Sequence, residues 1–240
     1  IRDRYYTRMA ATWWDADGPF WPLHALNRLR LAYIRDHLCR HFQRDPGAAL
    51  PLLGLRVVDV GCGGGILAES MARLGAEVIG IDVVEMNIAV ARLHAAESGL
   101  EIDYRQIAAS ELADAGEVFD VVLNMEVVEH VADVNAFMHD CNRLVAGNGA
   151  MFVATINRTG LAWLFAIVGA EYILRWLPRG THRWSLFRKP GEIEALLIRG
   201  GLRVADTAGV AANPFARTLR QVRSMQVNYM MFCVRKGSAA

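Results

Sequence analysis

Paired cysteines are missing from this sequence. Cys39, Cys62, Cys141 and Cys233 stand far apart and form no CxxC element. That argues against a zinc site and against a disulfide framework, and it makes a reducing cytoplasm the expected setting. A dominant charge is missing as well. The net charge is +1, so no global field favours nucleic acid as a partner. No charged-then-apolar signal segment opens the chain, and no internal repeat or low-complexity tract is visible. The strongest apolar run, Leu161 to Leu177, is interrupted by Glu171 and Arg175 and sits at the short limit of the roughly 20 residues that span a bilayer.

What is present is a sizeable apolar fraction, 53% of 240 residues, enough for one large domain over 1–240. Residues 1–50 read as a helical N-terminal cap. Trp13, Trp14, Trp21, Leu26, Leu29, Tyr33, Ile34 and Leu38 recur at roughly helical spacing, with a turn at Asp17-Gly18-Pro19. The pattern then changes. Short β-branched runs at 56–60, 77–81, 102–106, 119–123 and 151–155 alternate with helical stretches at 66–74, 84–98 and 131–145, and later strands are expected at 203–207 and 227–235. This rhythm predicts an α/β fold, a parallel sheet covered on both faces.

The sharpest motif is Asp59-Val60-Gly61-Cys62-Gly63-Gly64-Gly65, between a strand and a helix. Ligands in such sheets bind beyond the carboxyl ends of the strands, where glycine lets the backbone approach. Asp82 closes the next strand, where a carboxylate can accept both ribose hydroxyls of a nucleoside. A dinucleotide site would use the same two devices, but its G-x-G-x-x-G fingerprint fails here, because Ile66 stands at the third position. The observed G-x-G-x-G, through Gly61, Gly63 and Gly65 with Asp59 ahead of it, suits S-adenosylmethionine, which has no pyrophosphate to cradle. Asn124-Met125 follows the fourth strand, and Met125 is open to two readings, a wall for the adenine or ordinary core.

Glu126, Glu129 and His130 come next, at a spacing that gathers them on one side of a helical turn. Two carboxylates and an imidazole make a site for Mg²⁺, Mn²⁺ or Zn²⁺. A phenol with a pKa near 10 attacks a methyl sulfonium well only as its phenolate, and a chelated cation promotes that ionisation. His130 as general base is the alternative, with or without Glu129. Spacing does not choose between these roles.

Beyond these motifs the chain resembles the UbiG-type ubiquinone-biosynthesis O-methyltransferases. The resemblance rests on residues 13–34, 57–82, 124–131, 168–182 and 227–230, and it covers nearly the whole chain from Trp13. The Trp13-Trp14-Asp15 opening with Pro22-Leu23-His24, and the insert Ala170-Glu171-Tyr172 through Gly180-Thr181-His182, are the most specific parts. The resemblance implies a class I methyltransferase three-layer sandwich, with a seven-stranded, mostly parallel sheet. It implies donor contacts at Arg30, Gly61, Asp82 and Met125, and a divalent cation, Mg²⁺ first, at Glu126, Glu129 and His130. It implies O-methylation of a 2-polyprenyl-6-hydroxyphenol and of 3-demethylubiquinol, with other ubiquinone-biosynthesis proteins as partners. The second enzymatic reading is O- or C-methylation of another small aromatic acceptor. Departures from the family pattern, at Arg28, Arg183 and 209–212, leave the donor motifs untouched.

The insert at 157–190 carries Arg158, Arg175, Arg179, Arg183, Arg188 and Lys189 against the single acid Glu171. Its local charge is therefore +5, and the rest of the chain carries −4. Trp163, Phe165 and Trp176 add interface-preferring surface. Two readings stand: a helix lying on an anionic membrane, peripheral on the inner membrane, or a lid packed on the domain.

Overall fold

The computed structural model describes residues 12–18, 20–159, 187–213 and 218–235. The insert's central residues, 160–186, and with them the membrane-facing expectation, lie outside the described residues.

The β-branched run Arg56–Val60 forms β1, and it organises the sheet. On one side β1 pairs in parallel with β2 (Glu77–Ile81), which pairs with β3 (Asp103–Arg105). On the other side it pairs with β4 (Phe119–Met125), followed by β5 (Val145–Ile156). Beyond β5 the sheet takes β8 (Asn228–Arg235), antiparallel to both β5 and β6 (Leu202–Asn213), and ends on β7 (Thr218–Val222). The order is β3-β2-β1-β4-β5-β8-β6-β7.

The sheet thus has eight strands where seven were expected. The extra strand, β7, is a hairpin partner of β6 at the sheet edge. Its five residues hold only Leu219 and Val222 as apolar positions, three apart, so no strand alternation announces it.

Val57 and Val58 show how the layers form. Successive strand residues point to opposite faces. Val57, Val78, Val121 and Phe152 pack under α1 (Trp21–His41), α2 (Ile66–Arg73) and α3 (Glu85–Glu97). Val58, Val122, Met151 and Val153 pack under α4 (Ala109–Asp114), α5 (Val134–Arg143) and α6 (Pro190–Arg199). The result is a three-layer sandwich. α4 and α6 are too short for a clear period, but both start on a glutamate reaching back to the backbone: Ala108 N–H donates to Glu111 Oε1 (2.9 Å) and Lys189 N–H to Glu192 Oε2 (3.1 Å).

The N-terminal cap is less continuous than its periodicity suggested. It is helical at 12–14 and again from Trp21, with Pro22 in the first turn of α1. It ends at His41 rather than near residue 50. Gln43 adopts φ 54°, and Asp45 then accepts from Gly47 N–H at 2.8 Å, so the chain turns instead of continuing the helix.

Candidate active site

The order of the sheet reverses at β1, and the crevice opens at that point. Register aligns what lines it. Val60 pairs with Ile81 on β2 and with Asn124 on β4. Gly61, Asp82 and Met125 are each the next residue, so three segments separated by 21 and 43 residues in sequence reach one edge at one level. They open on a cavity of about 580 Å³ lined also by Arg30, Asp59, Gly63, Glu126 and His130.

The glycine loop is fixed by sterics and by Asp82. Gly61 has φ 70°, and a β-carbon there would sit 2.6 Å from a Val127 methyl. Gly63 N–H donates to Asp82 Oδ2 (3.1 Å), as does Asn87 Nδ2 (3.1 Å), while Val84 N–H donates to Oδ1 (2.8 Å). Asp82 therefore ties the loop to the start of α3 and keeps acceptor capacity on Oδ1. Val83, Ile107, Ala108 and Met125 supply apolar walls beyond it.

Met125 is buried in the core and also lines the cavity. Gly65 does not line the cavity. It stands at the start of α2 with φ 88°.

Charge inside the site centres on Arg30, projected by α1 and only 5% exposed. Its guanidinium is bonded to the Glu126 carboxylate. Asp59 is fully enclosed in β1. Burial pushes its carboxyl up to about 7, against the pull of Arg30 and with the help of the Asp82 charge.

The expected metal triad is not assembled. Among the described residues, no three His, Cys, Asp or Glu side chains are placed to hold a metal ion. The spacing required a helical turn through Glu126, but Glu126 has φ 60° and the chain leaves β4 in an irregular bend. Arg30 draws the Glu126 side chain to itself. Glu129 faces the core, 3% exposed, and accepts from Thr155 Oγ1 at 2.7 Å. Burial, together with the neighbouring Glu126 charge, holds Glu129 well above the usual carboxylate range. His130 is exposed and lines the cavity. In this arrangement the three residues do not fit a divalent cation.

Sequence reasoning missed the roof of the site. Trp13 packs on the loop so closely that a β-carbon on Gly64 would lie 2.4 Å from its Nε1. Trp14 Nε1 donates to Gly64 O (3.1 Å). The Trp14 ring stacks flat on His94, centroids 3.5 Å apart at 3°. His94 Nδ1 is in turn 2.7 Å from Oε1 of Glu69, which is 1% exposed. The adjacent tryptophans were the available signal, and they were read as helix periodicity and as a mark of the family resemblance, with no role at the site.

Comparison with known proteins agrees with this layout. Residues 58–153 match the model of a methyltransferase domain. A ubiquinone biosynthesis O-methyltransferase of Brucella anthropi is 56% identical over 231 residues, 96% of this chain and 93% of that protein. Its counterpart in Sinorhizobium medicae is 55% identical over 230 residues, again 96% and 93%. Among solved structures, the magnesium protoporphyrin IX methyltransferase of Synechocystis PCC 6803 with bound SAH superposes with a TM-score of 0.62 at 20% identity, covering 88% of this chain and 84% of its own. A putative sarcosine dimethylglycine methyltransferase from Galdieria sulphuraria gives 0.61 at 12% identity, covering 86% and 85%. These two likenesses show the class I methyltransferase fold.

Proposed function

The chain belongs to the ubiquinone biosynthesis O-methyltransferases, enzymes that use S-adenosylmethionine, and from that premise we propose that its acceptor is a polyprenylated catechol or quinol and that its site residues divide as follows. Gly61, Gly63 and Asp59 surround the amino-acid end of the donor, Arg30 meets its carboxylate, Asp82 its ribose, and Met125 its adenine. The observation that carries this reading is the alignment of Gly61, Asp82 and Met125 on one strand edge around a cavity whose described lining holds one arginine and no lysine.

The reaction is an in-line displacement. A phenolic oxygen attacks the sulfonium methyl, the carbon–sulfur bond breaks, its electron pair stays on sulfur, and S-adenosylhomocysteine leaves. The phenolic proton has to go elsewhere. His130 stands at the cavity rim and is the base this reading assigns. Glu129, enclosed and bonded to Thr155, shapes the turn that presents His130. A divalent cation, when bound, would lower the acceptor's pKa. Holding it requires Glu126 to leave Arg30 and converge with Glu129 and His130.

Among the described residues no helix is long and apolar enough to cross a membrane. A polyprenyl acceptor resides in a bilayer, and the +5 charge and tryptophans of 157–190 support peripheral contact with an anionic surface. Flotation with anionic and neutral vesicles tests this, and equal retention by both removes it.

The deciding assay uses purified protein, methyl-labelled donor and demethylated quinols with short and long tails. Transfer to the catechol-type hydroxyl is expected. Donor binding without transfer to any such acceptor refutes the assignment. Adding EDTA and then Mg²⁺ to the same assay tests the cation.

A further inference from the structure

Arg30 is the one arginine, and no lysine joins it, among the described residues lining the donor cavity, and in this structure it is already engaged. Glu126 holds its guanidinium, and Asp59 lies within electrostatic reach. The donor brings another carboxylate to the same cation. Glu126 and the donor's carboxylate then compete for one guanidinium that is only 5% exposed, and Asp59 adds to the negative side as it ionises. One has to give way.

Structure singles out which. Asp59 is set within β1, 3% exposed, and accepts a hydrogen bond from the Ala68 backbone. Glu126 is 26% exposed, follows the last residue of β4, and sits at φ 60°, a region non-glycine residues occupy only when other contacts hold them there. Its backbone N–H donates to Ala154 O (2.8 Å), and its side chain is paired with Arg30. Glu126 also has somewhere to go, because it lines the open cavity and has Glu129 as a near neighbour.

We propose that Glu126 is an internal stand-in for the donor's carboxylate: it occupies Arg30 in the empty site, and S-adenosylmethionine displaces it toward Glu129. The inference rests on the assignment of Arg30 to the donor made above. It has a counterintuitive consequence. A residue lining the donor cavity works against donor binding, because each binding event must break the Arg30–Glu126 pair. By linkage, whatever favours released Glu126 tightens the donor, and the donor in turn favours release.

Calorimetry tests the exchange with two ligands, S-adenosylhomocysteine and its analogue lacking the carboxylate. Glu126→Gln keeps the shape and a hydrogen-bond acceptor but removes the competing charge. It should bind S-adenosylhomocysteine about fivefold to tenfold more tightly than wild type, the size expected for one charge-assisted contact. Its affinity for the decarboxylated analogue should match wild type. Arg30→Lys should weaken S-adenosylhomocysteine and not the analogue. Unchanged or weaker S-adenosylhomocysteine binding by Glu126→Gln, with Arg30→Lys weakened as expected, overturns the exchange alone. An equal gain on both ligands also overturns it, since relief of packing would then be the cause. If Arg30→Lys binds both ligands like wild type, the donor assignment of Arg30 falls and takes the exchange with it.

Discussion

Asp59→Asn should change how stability depends on pH, and the structure sets the size. The carboxyl titrates near 3.8 in an unfolded chain and at about 7 in the fold, chiefly because burial disfavours its charge. Between those values the folded protein holds a proton that the unfolded chain has released. Unfolding free energy therefore falls as pH rises through this window, by about 1.4 kcal/mol per pH unit and about 4 kcal/mol in all as an upper bound. Above about 7 both states are ionised and the slope from this group vanishes. Asparagine fills the same volume, can accept the Ala68 N–H and does not titrate. Urea unfolding of both proteins, from about pH 5 to about pH 8 in one-unit steps, isolates Asp59, because every other group is common to the pair. The mutant should gain on wild type steadily up to about pH 7 and then hold its advantage. Parallel stability curves across the range would refute the reasoning, because they would mean that the carboxyl keeps an ordinary value despite its burial.

Three further outcomes are expected. Asp82→Asn should cost about 1–3 kcal/mol in donor affinity by calorimetry, since an amide cannot accept both ribose hydroxyls while still holding Gly63 and Val84. Gly61→Ala places a β-carbon 2.6 Å from Val127 at φ 70°, and donor affinity should fall more than about tenfold while thermal unfolding stays cooperative. Trp14→Ala loses the His94 stack and the bond to Gly64 O; thermal denaturation should show a loss of about 1–3 kcal/mol, and His94→Ala should show a similar one, because it strips buried Glu69 of its closest partner.

The sheet from β1 to β5, and the strand edge on which the cavity opens, were readable from residue order alone. Asp59, Gly61, Asp82 and Met125 were legible because each stands at or just after the end of a short β-branched run. Strand period and glycine turns are local properties, and in a parallel sheet the end of each central strand reaches the same edge whatever the side chains do afterwards. Short elements without a full period, α4, α6 and β7, were not legible, and the end of α1 was overrun because Gln43 breaks the helix with a backbone conformation that residue type does not announce.

Only the tertiary structure decided what the charged side chains do. The spacing of Glu126, Glu129 and His130 predicts convergence only if the chain stays helical, and the left-handed Glu126 ends that. Its partner, Arg30, is 96 residues away, and the partner of Glu129, Thr155, is 26 residues away on the neighbouring strand. Trp13 and Trp14 likewise meet a loop some 50 residues on. A side chain's charge and shape are written in the sequence, but which opposite charge or open loop it meets depends on elements brought together by the packed core, and that is settled only when the fold closes.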